Sequence, residues 1–434
     1  MTLTGVLPRA TIGADGASWL TLYIALLFLV PSKLVLGPLG SAGSPAMLLG
    51  IASLIIWALF RASAPRSFAR DANPIRIALG VFAFSAGISY AIAMANPINS
   101  DEISPADVAL LAIASWCGTT LTAHDGISTR ERLDTLVWRI VLCGSAIALL
   151  GIAQVLTGQL WIDQISIPGL TSTETSGLAM RGAFVRPSGT AIHPIEFGVV
   201  ITMLLPLALH VGFNHAHRNV VLRWIPAVSL AAVIPLTSSR SAYLGAVIGL
   251  SICLIYWPPM RRLIMVGVAA VGVAAMTVIT PTLFNSIVGL FTGVSNDPSI
   301  ASRTGSFDLA FQFILQNPWF GRGLGTFLPK YRIFDNQYLG LLVTGGFIGT
   351  AAFIALGVVA IVCLLRLRAR TTHIATRDLS VSLGAAIAVG FACLVMFDAF
   401  AFPMTMGCLF LLLGVAGCLR RLERESPILL PSIR

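Results

Sequence analysis

The sequence predicts an all-α polytopic membrane protein. About twelve transmembrane helices are expected, with a large extracytoplasmic loop that contains short amphipathic helices. Three observations predict this. Of 434 residues, 56% are hydrophobic and only 11% charged, and mean hydropathy is +0.87. A soluble domain carries about 25% charged residues. Apolar runs long enough to cross a bilayer core recur along the whole chain, and the alternating segments of a β-barrel do not.

In order, the runs lie near 18–36, 44–60, 77–95, 107–123, 137–157, 195–212, 224–238, 242–257, 264–284, 337–365, 380–397 and 402–419. The first lacks a basic leader and a convincing cleavage site, so it is expected to remain as a span. Arginines fill 61–76. They return at Arg130, Arg132 and Arg139, at Arg218 and Arg223, at Arg261 and Arg262, from Arg366 to Arg377, and in the tail. By the positive-inside rule all of these are cytoplasmic if both termini are cytoplasmic. The chain then reads as one integral-membrane unit, 1–434, with two long extracytoplasmic loops, 158–194 and 285–336.

The net charge of +10 orients the protein and does not imply a nucleic-acid partner. Lys33 and Lys330 are the only lysines. That bias, with abundant Ala and Gly, points to a GC-rich bacterial genome and so to the plasma membrane. The seven cysteines all lie in apolar runs without metal-ligand spacing, so they read as small buried hydrophobes.

Eight basic residues are left for the extracytoplasmic side: Lys33, Arg181, Arg186, Arg240, Arg303, Arg322, Lys330 and Arg332. Cations are scarce on that face of a membrane protein, so their gathering suggests a negatively charged substrate. Guanidinium binds phosphate oxygens through paired hydrogen bonds, and at a membrane the phosphate belongs to a lipid. Arg181, Arg186, Arg240 and Arg303 are the foremost candidates, joined by Arg322, Lys330 and Arg332. Arg240 lies in TSSRSAYLG, where the helical run breaks at the membrane edge. The plain alternative for each is a loop contact or a lipid head group.

Phe307, Ala310, Phe311 and Ile314 share one helical face, read as a helix on the membrane surface that ends at Asn317-Pro318. GRGLG (321–325) follows, either as a turn or as a nest of backbone N–H groups for an anion. Asp335 stands where the chain re-enters the membrane, placed to take a proton from an attacking hydroxyl. Helix capping is its ordinary alternative. Asn336 and Tyr338 are candidates to orient sugar hydroxyls. His193 and Glu196, heading the sixth span, are rival bases. The extracytoplasmic acids are too scattered for a metal site, so no metal or cofactor is expected.

RPSGTAIHP, TSSRSAYLG, ASRTGSF, NPWFGRGLGTF and DNQYLGLLVTGGFIG occur in the order found in the O-antigen ligase and O-antigen polymerase superfamily, which this chain resembles over roughly 180–350. The resemblance implies an extracytoplasmic glycosyltransferase. Such an enzyme moves glycan from a polyprenyl-diphosphate-linked oligosaccharide to the hydroxyl of a glycan acceptor, within membrane lipid and beside chain-length or envelope-assembly proteins. Ligases of this kind carry His, then Asn or Ser, nine residues, then Gly-Tyr. Here the match is Asp335-Asn336, nine residues, Gly346-Phe347. The aspartate and phenylalanine favour a polysaccharide polymerase, or else a ligase of a divergent branch that transfers to a non-polymer acceptor. On this pattern Arg186 and Arg303 would stabilise the departing diphosphate and Asp335 would serve as base, with inversion at the anomeric carbon. A twelve-span transporter or flippase of lipid-linked glycan is the competing class.

Overall fold

The computed structural model describes residues 15–63, 73–173, 177, 179–181, 184–292 and 305–425. Among them the α-helices are α1 (Gly16–Leu29), α2 (Pro45–Ser63), α3 (Pro74–Ala95), α4 (Ser100–Asp125), α5 (Arg130–Thr157), α6 (Pro194–Asn214) and α7 (Val220–Val233). There follow α8 (Arg240–Tyr256), α9 (Pro259–Ile279), α10 (Pro281–Thr292), α11 (Phe307–Gln316), α12 (Gln337–Arg370), α13 (Ile374–Cys393) and α14 (Pro403–Glu425). Ten of the described helices are long and apolar enough to cross a membrane, and α1 and α8 are shorter apolar helices. Together they coincide with the twelve expected runs, in an all-α polytopic architecture.

One boundary differs. The first run was expected to continue to 36, yet α1 stops at Leu29 and Leu34–Leu36 forms a strand, β1. Val30 precedes Pro31 and is extended, as the proline ring requires. Strand β1 pairs antiparallel with β2 (Leu170–Ser172), in the first long loop. That loop also holds the hairpin β3 (Ala179–Arg181) and β4 (Phe184–Arg186).

The main core is one large apolar cluster in which α6 and α14 are almost wholly enclosed, with a smaller cluster beside it under the second long loop. Phe82, Phe353, Phe397 and Phe410 are among its fully buried rings. By contrast, no residue of α9 is buried. The two ends of the bundle differ in chemistry. At the arginine-rich end, Asp378 accepts from Asn214 (2.6 Å), Trp257 (3.1 Å) and Arg261 (3.2 Å) and lies 2.6 Å from His210 Nδ1. There too, Asp125 accepts from Trp57 Nε1 at 2.8 Å. The opposite end carries both long loops and the hairpins.

The helix of the second long loop forms as expected, but its stripe is split. Ala310 and Ile314 pack with Phe334, Leu339 and Val343, whereas Phe307 and Phe311 stay exposed. Beyond it, α12 is broken at Gly346 (φ 65°, ψ −170°). The break strands backbone groups that a helix would pair, and in a membrane they must find partners within the protein. Segment 318–323 supplies them. Phe347 N–H donates to Pro318 O (2.8 Å) and Ile348 N–H to Trp319 O (3.0 Å). Arg322 and Gly323 N–H donate to Val343 and Thr344 carbonyls, both at 2.9 Å. A Cβ on Gly346 would stand 2.4 Å from the Trp319 carbonyl.

Gly346→Ala therefore meets both an unfavourable backbone region and backbone atoms that cannot yield. That backbone region, essentially reserved to glycine, alone costs about 1–3 kcal/mol for a residue with a Cβ. Thermal unfolding in detergent should show a lowered midpoint; an unchanged midpoint would contradict this packing.

Candidate active site

The break between α7 and α8 is where the first loop docks. Pro235 opens a short 3-10 turn to Thr237, and Ser238 takes a left-handed conformation (φ 46°) before α8 begins at Arg240. The hairpin register pairs Ala179 with Arg186 and Arg181 with Phe184, so Arg181 and Arg186 share one face of the ribbon. That face meets the break. Arg186 Nε donates to Thr237 O and Arg181 Nη1 to Ser238 O, each at 3.2 Å. Arg240 Nε donates to Leu290 O at 2.7 Å, near the end of α10. Burial, then the neighbouring Arg181, lowers the Arg186 pKa to about 10, so the group stays charged at neutral pH. Arg303, expected beside them, lies outside the described residues.

His193 is the N-cap of α6, and its Nδ1 accepts from Ile195 N–H at 3.1 Å. Burial first, and Arg186 second, push its pKa down to about 4. The ring is therefore neutral at pH 7. With Nδ1 accepting, Nε2 must carry the proton. His193 Nε2 is thus left as a hydrogen-bond donor in this arrangement. The residue borders a cavity of about 180 Å³ lined also by Lys33, Ile162, Ala179, Ser188 and Ile192. Glu196, the other rival, is fully buried. Its carboxyl oxygens accept from Ile192 N–H (3.0 Å), Met404 N–H (2.7 Å) and Thr405 N–H (3.2 Å). It caps the starts of α6 and α14 together, which leaves it no room to serve as a base.

The second cluster lies where α12 begins. Asn336 caps that helix, its Oδ1 accepting from Tyr338 N–H (3.1 Å) and Leu339 N–H (3.2 Å). Capping, the ordinary alternative for Asp335, thus falls to its neighbour. Asp335 is half-buried, with φ 51°, and its carboxylate accepts no hydrogen bond among the described residues. The Tyr338 hydroxyl donates inward, to Phe391 O at 2.7 Å. The α13–α14 turn links this cluster to the first. In it, Asp398 accepts from the Asp335 and Asn336 N–H groups, and the Phe402 ring lies 6.1 Å from His193.

Arg322 and Lys330, expected to bind substrate, are brought elsewhere. Arg322 and the Tyr331 hydroxyl both bond Glu102, fully buried at the start of α4, and Lys330 pairs with Asp101. Arg332 Nε donates to Ser306 Oγ at 3.0 Å. Nor does GRGLG form an anion nest, since the N–H groups of Gly321, Arg322 and Gly323 are spent on carbonyls of 317, 343 and 344. Sequence reasoning missed Asp398 as a site residue; its only signal was an acid alone in an aromatic-rich turn.

Residues 225–354 match the family model described as O-Antigen ligase. That segment, 130 of the 434 residues, supports the likeness to the O-antigen ligase and polymerase superfamily. The matched span of the superfamily model includes Arg240, Arg322, Asp335 and Gly346, while Arg181, Arg186 and His193 precede it. No curated protein matches the chain in sequence. A chain from a solved structure, "Structural coordination of polymerization and crosslinking by a peptidoglycan synthase complex", aligns with TM-score 0.40 and 14% identity. The alignment covers 81% of this chain and 98% of that one.

The Glu102 pairing gives Arg322 a structural task that substitution can separate from substrate binding. Arg322→Ala should lower stability by about 3 kcal/mol, because it leaves a buried carboxylate without its cation. Adding Glu102→Gln should recover part of the loss, and the surviving protein should keep its affinity for substrate. A weakened affinity with unchanged thermal stability would return Arg322 to the site.

Proposed function

We propose that the protein is a membrane glycosyltransferase that acts on a polyprenyl-diphosphate-linked oligosaccharide at the extracytoplasmic face. The observation that carries this reading is the convergence of Arg181 and Arg186 on the 237–238 break, with Arg240 heading the next helix. The N-termini of α6, α8, α12 and α14 lie at this same end of the bundle, and their dipoles favour negative charge there. The diphosphate would be held by these arginines, with Arg303 joining them and the His193 Nε2 proton as a further donor. Its charge would be neutralised without a metal ion. The lipid tail would lie between helices, open to the bilayer.

In the proposed step the acceptor hydroxyl attacks the anomeric carbon in line. The new C–O bond forms as the bond to diphosphate breaks, and its electron pair leaves with the diphosphate. The hydroxyl proton passes to Asp335, and the anomeric configuration inverts. Asp335 is preferred to His193 because its carboxylate is uncommitted, whereas His193 is held as a donor. Asp335 and Phe347, where ligases have His and Tyr, favour a polymerase. The arginine-rich end, with both chain termini, would face the cytoplasm of a bacterium. A transporter is the other class, and free polyprenyl diphosphate separates the two, since only an enzyme releases it.

With purified protein and lipid-linked oligosaccharide, Arg186→Ala should raise the donor KM and lower kcat. Asp335→Asn should cost at least about a hundredfold in kcat, the scale of a lost general base. His193→Gln keeps an N–H donor and should retain most of the rate, with no inflection near the ordinary histidine pKa. If wild type yields neither longer glycan nor polyprenyl diphosphate, the enzyme reading is lost.

Orientation is tested separately. A single cysteine at Asn99 or Gly158, introduced on a background without the native thiols, should react with an impermeant reagent applied to intact cells. One at Asn219 should not react until the cells are opened. The reverse pattern would invert the topology.

A further inference from the structure

The α13–α14 turn, outside the matched segment, holds the most informative unassigned group. Asp398 Oδ2 accepts from Asp335 N–H and its Oδ1 from Asn336 N–H, both at 3.1 Å. Those two N–H groups lie just before the first turn of α12, where no helical partner exists for them. Asp335 is also one of two non-glycine residues with positive φ among those described. Such a conformation costs about 1–3 kcal/mol and persists only where the surroundings impose it.

The turn is itself fixed on both sides. Phe400 N–H donates to Gln337 Oε1 at 2.7 Å, two residues beyond Asp335. Across the turn, Phe402 packs on His193, and the N–H groups of Met404 and Thr405 are taken by Glu196. The turn thus spans from the His193 cluster to the Asp335 cluster. A carboxylate suits this task, because each N–H group meets its own oxygen and the charge strengthens both bonds.

We infer that Asp398 is a positioning residue: it holds the Asp335 backbone in its left-handed conformation and so aims the Asp335 carboxylate at the bound acceptor. The inference rests on the reading of Asp335 as the base. It implies that Asp398 acts through Asp335 and has no contact with donor or acceptor.

The test is a double-substitution cycle in the lipid-linked oligosaccharide assay, on protein that elutes as a single species in detergent. Asp398→Ala should lower kcat roughly ten- to a hundredfold, the scale of a misaimed catalytic group, with the donor KM unchanged. Asp398→Asn, which keeps one acceptor oxygen, should fall between Ala and wild type. It carries the test alone if the alanine variant does not fold. On an Asp335→Asn background, either change should cost nothing further.

An equal loss on both backgrounds would overturn the inference, as would a raised donor KM with unchanged kcat. The single Asp335→Asn variant reads the base assignment by itself. If that variant keeps the full rate, the reading of Asp335 as base fails, visibly apart from a cycle in which Asp335→Asn is impaired and Asp398 proves independent.

Discussion

The loop end of this molecule depends on Glu196. Its buried carboxyl group accepts three backbone N–H groups, one before α6 and two in the first turn of α14. Helix starts leave N–H groups unpaired, and burying them without partners is costly. A single side chain meets the need of two helices that are distant in sequence, and this fixes how those helices meet. From that junction the placement of both candidate clusters follows. On one side α6 presents His193, preceded by the strand that bears Arg186. On the other, α14 is preceded by the turn that bears Phe402 and Asp398.

The same demand for satisfied backbone explains the GRGLG stretch and the glycine pair at 345–346. A helix broken inside a membrane protein must hand its stranded groups to another segment. Segment 318–323 does this, at a distance that leaves no room for a Cβ at Gly321 or Gly346, both of which have positive φ. The spacing from Asp335-Asn336 to Gly346-Phe347 therefore has a physical meaning. It measures the helix from its capped start to its break, and so sets where Asp335 stands relative to the docked loop.

Much of this was legible in the chain. Twelve apolar runs and a one-sided arginine count give the spans, because hydropathy and charge asymmetry are summed over many residues. Asn317-Pro318 marks the end of α11, since its cause is local. What escaped depends on partners distant in sequence. Glu196 looks like a base until Met404 and Thr405 are seen donating to it. Arg322 looks like a substrate ligand until Glu102 is seen beneath it. Asp398 gives no sign of its contact with Asp335 and Asn336, more than sixty residues away.

The cations of the loop end can be read by what they hold. Lys33, Arg322 and Lys330 face carboxylates of the protein, and each ties a loop to the bundle: Lys33 to Asp163, Arg322 to Glu102 and Lys330 to Asp101. Arg181, Arg186 and Arg240 donate to the backbone carbonyls of Ser238, Thr237 and Leu290, contacts that orient each guanidinium. Burial of Arg186 beside a second arginine adds a cost that a structural pair would not carry, and an anionic ligand would offset it. In the proposed reading the diphosphate therefore sits against the Arg181–Arg186 face, and not at the Gly-rich turn, whose N–H groups at 321–323 already donate to carbonyls.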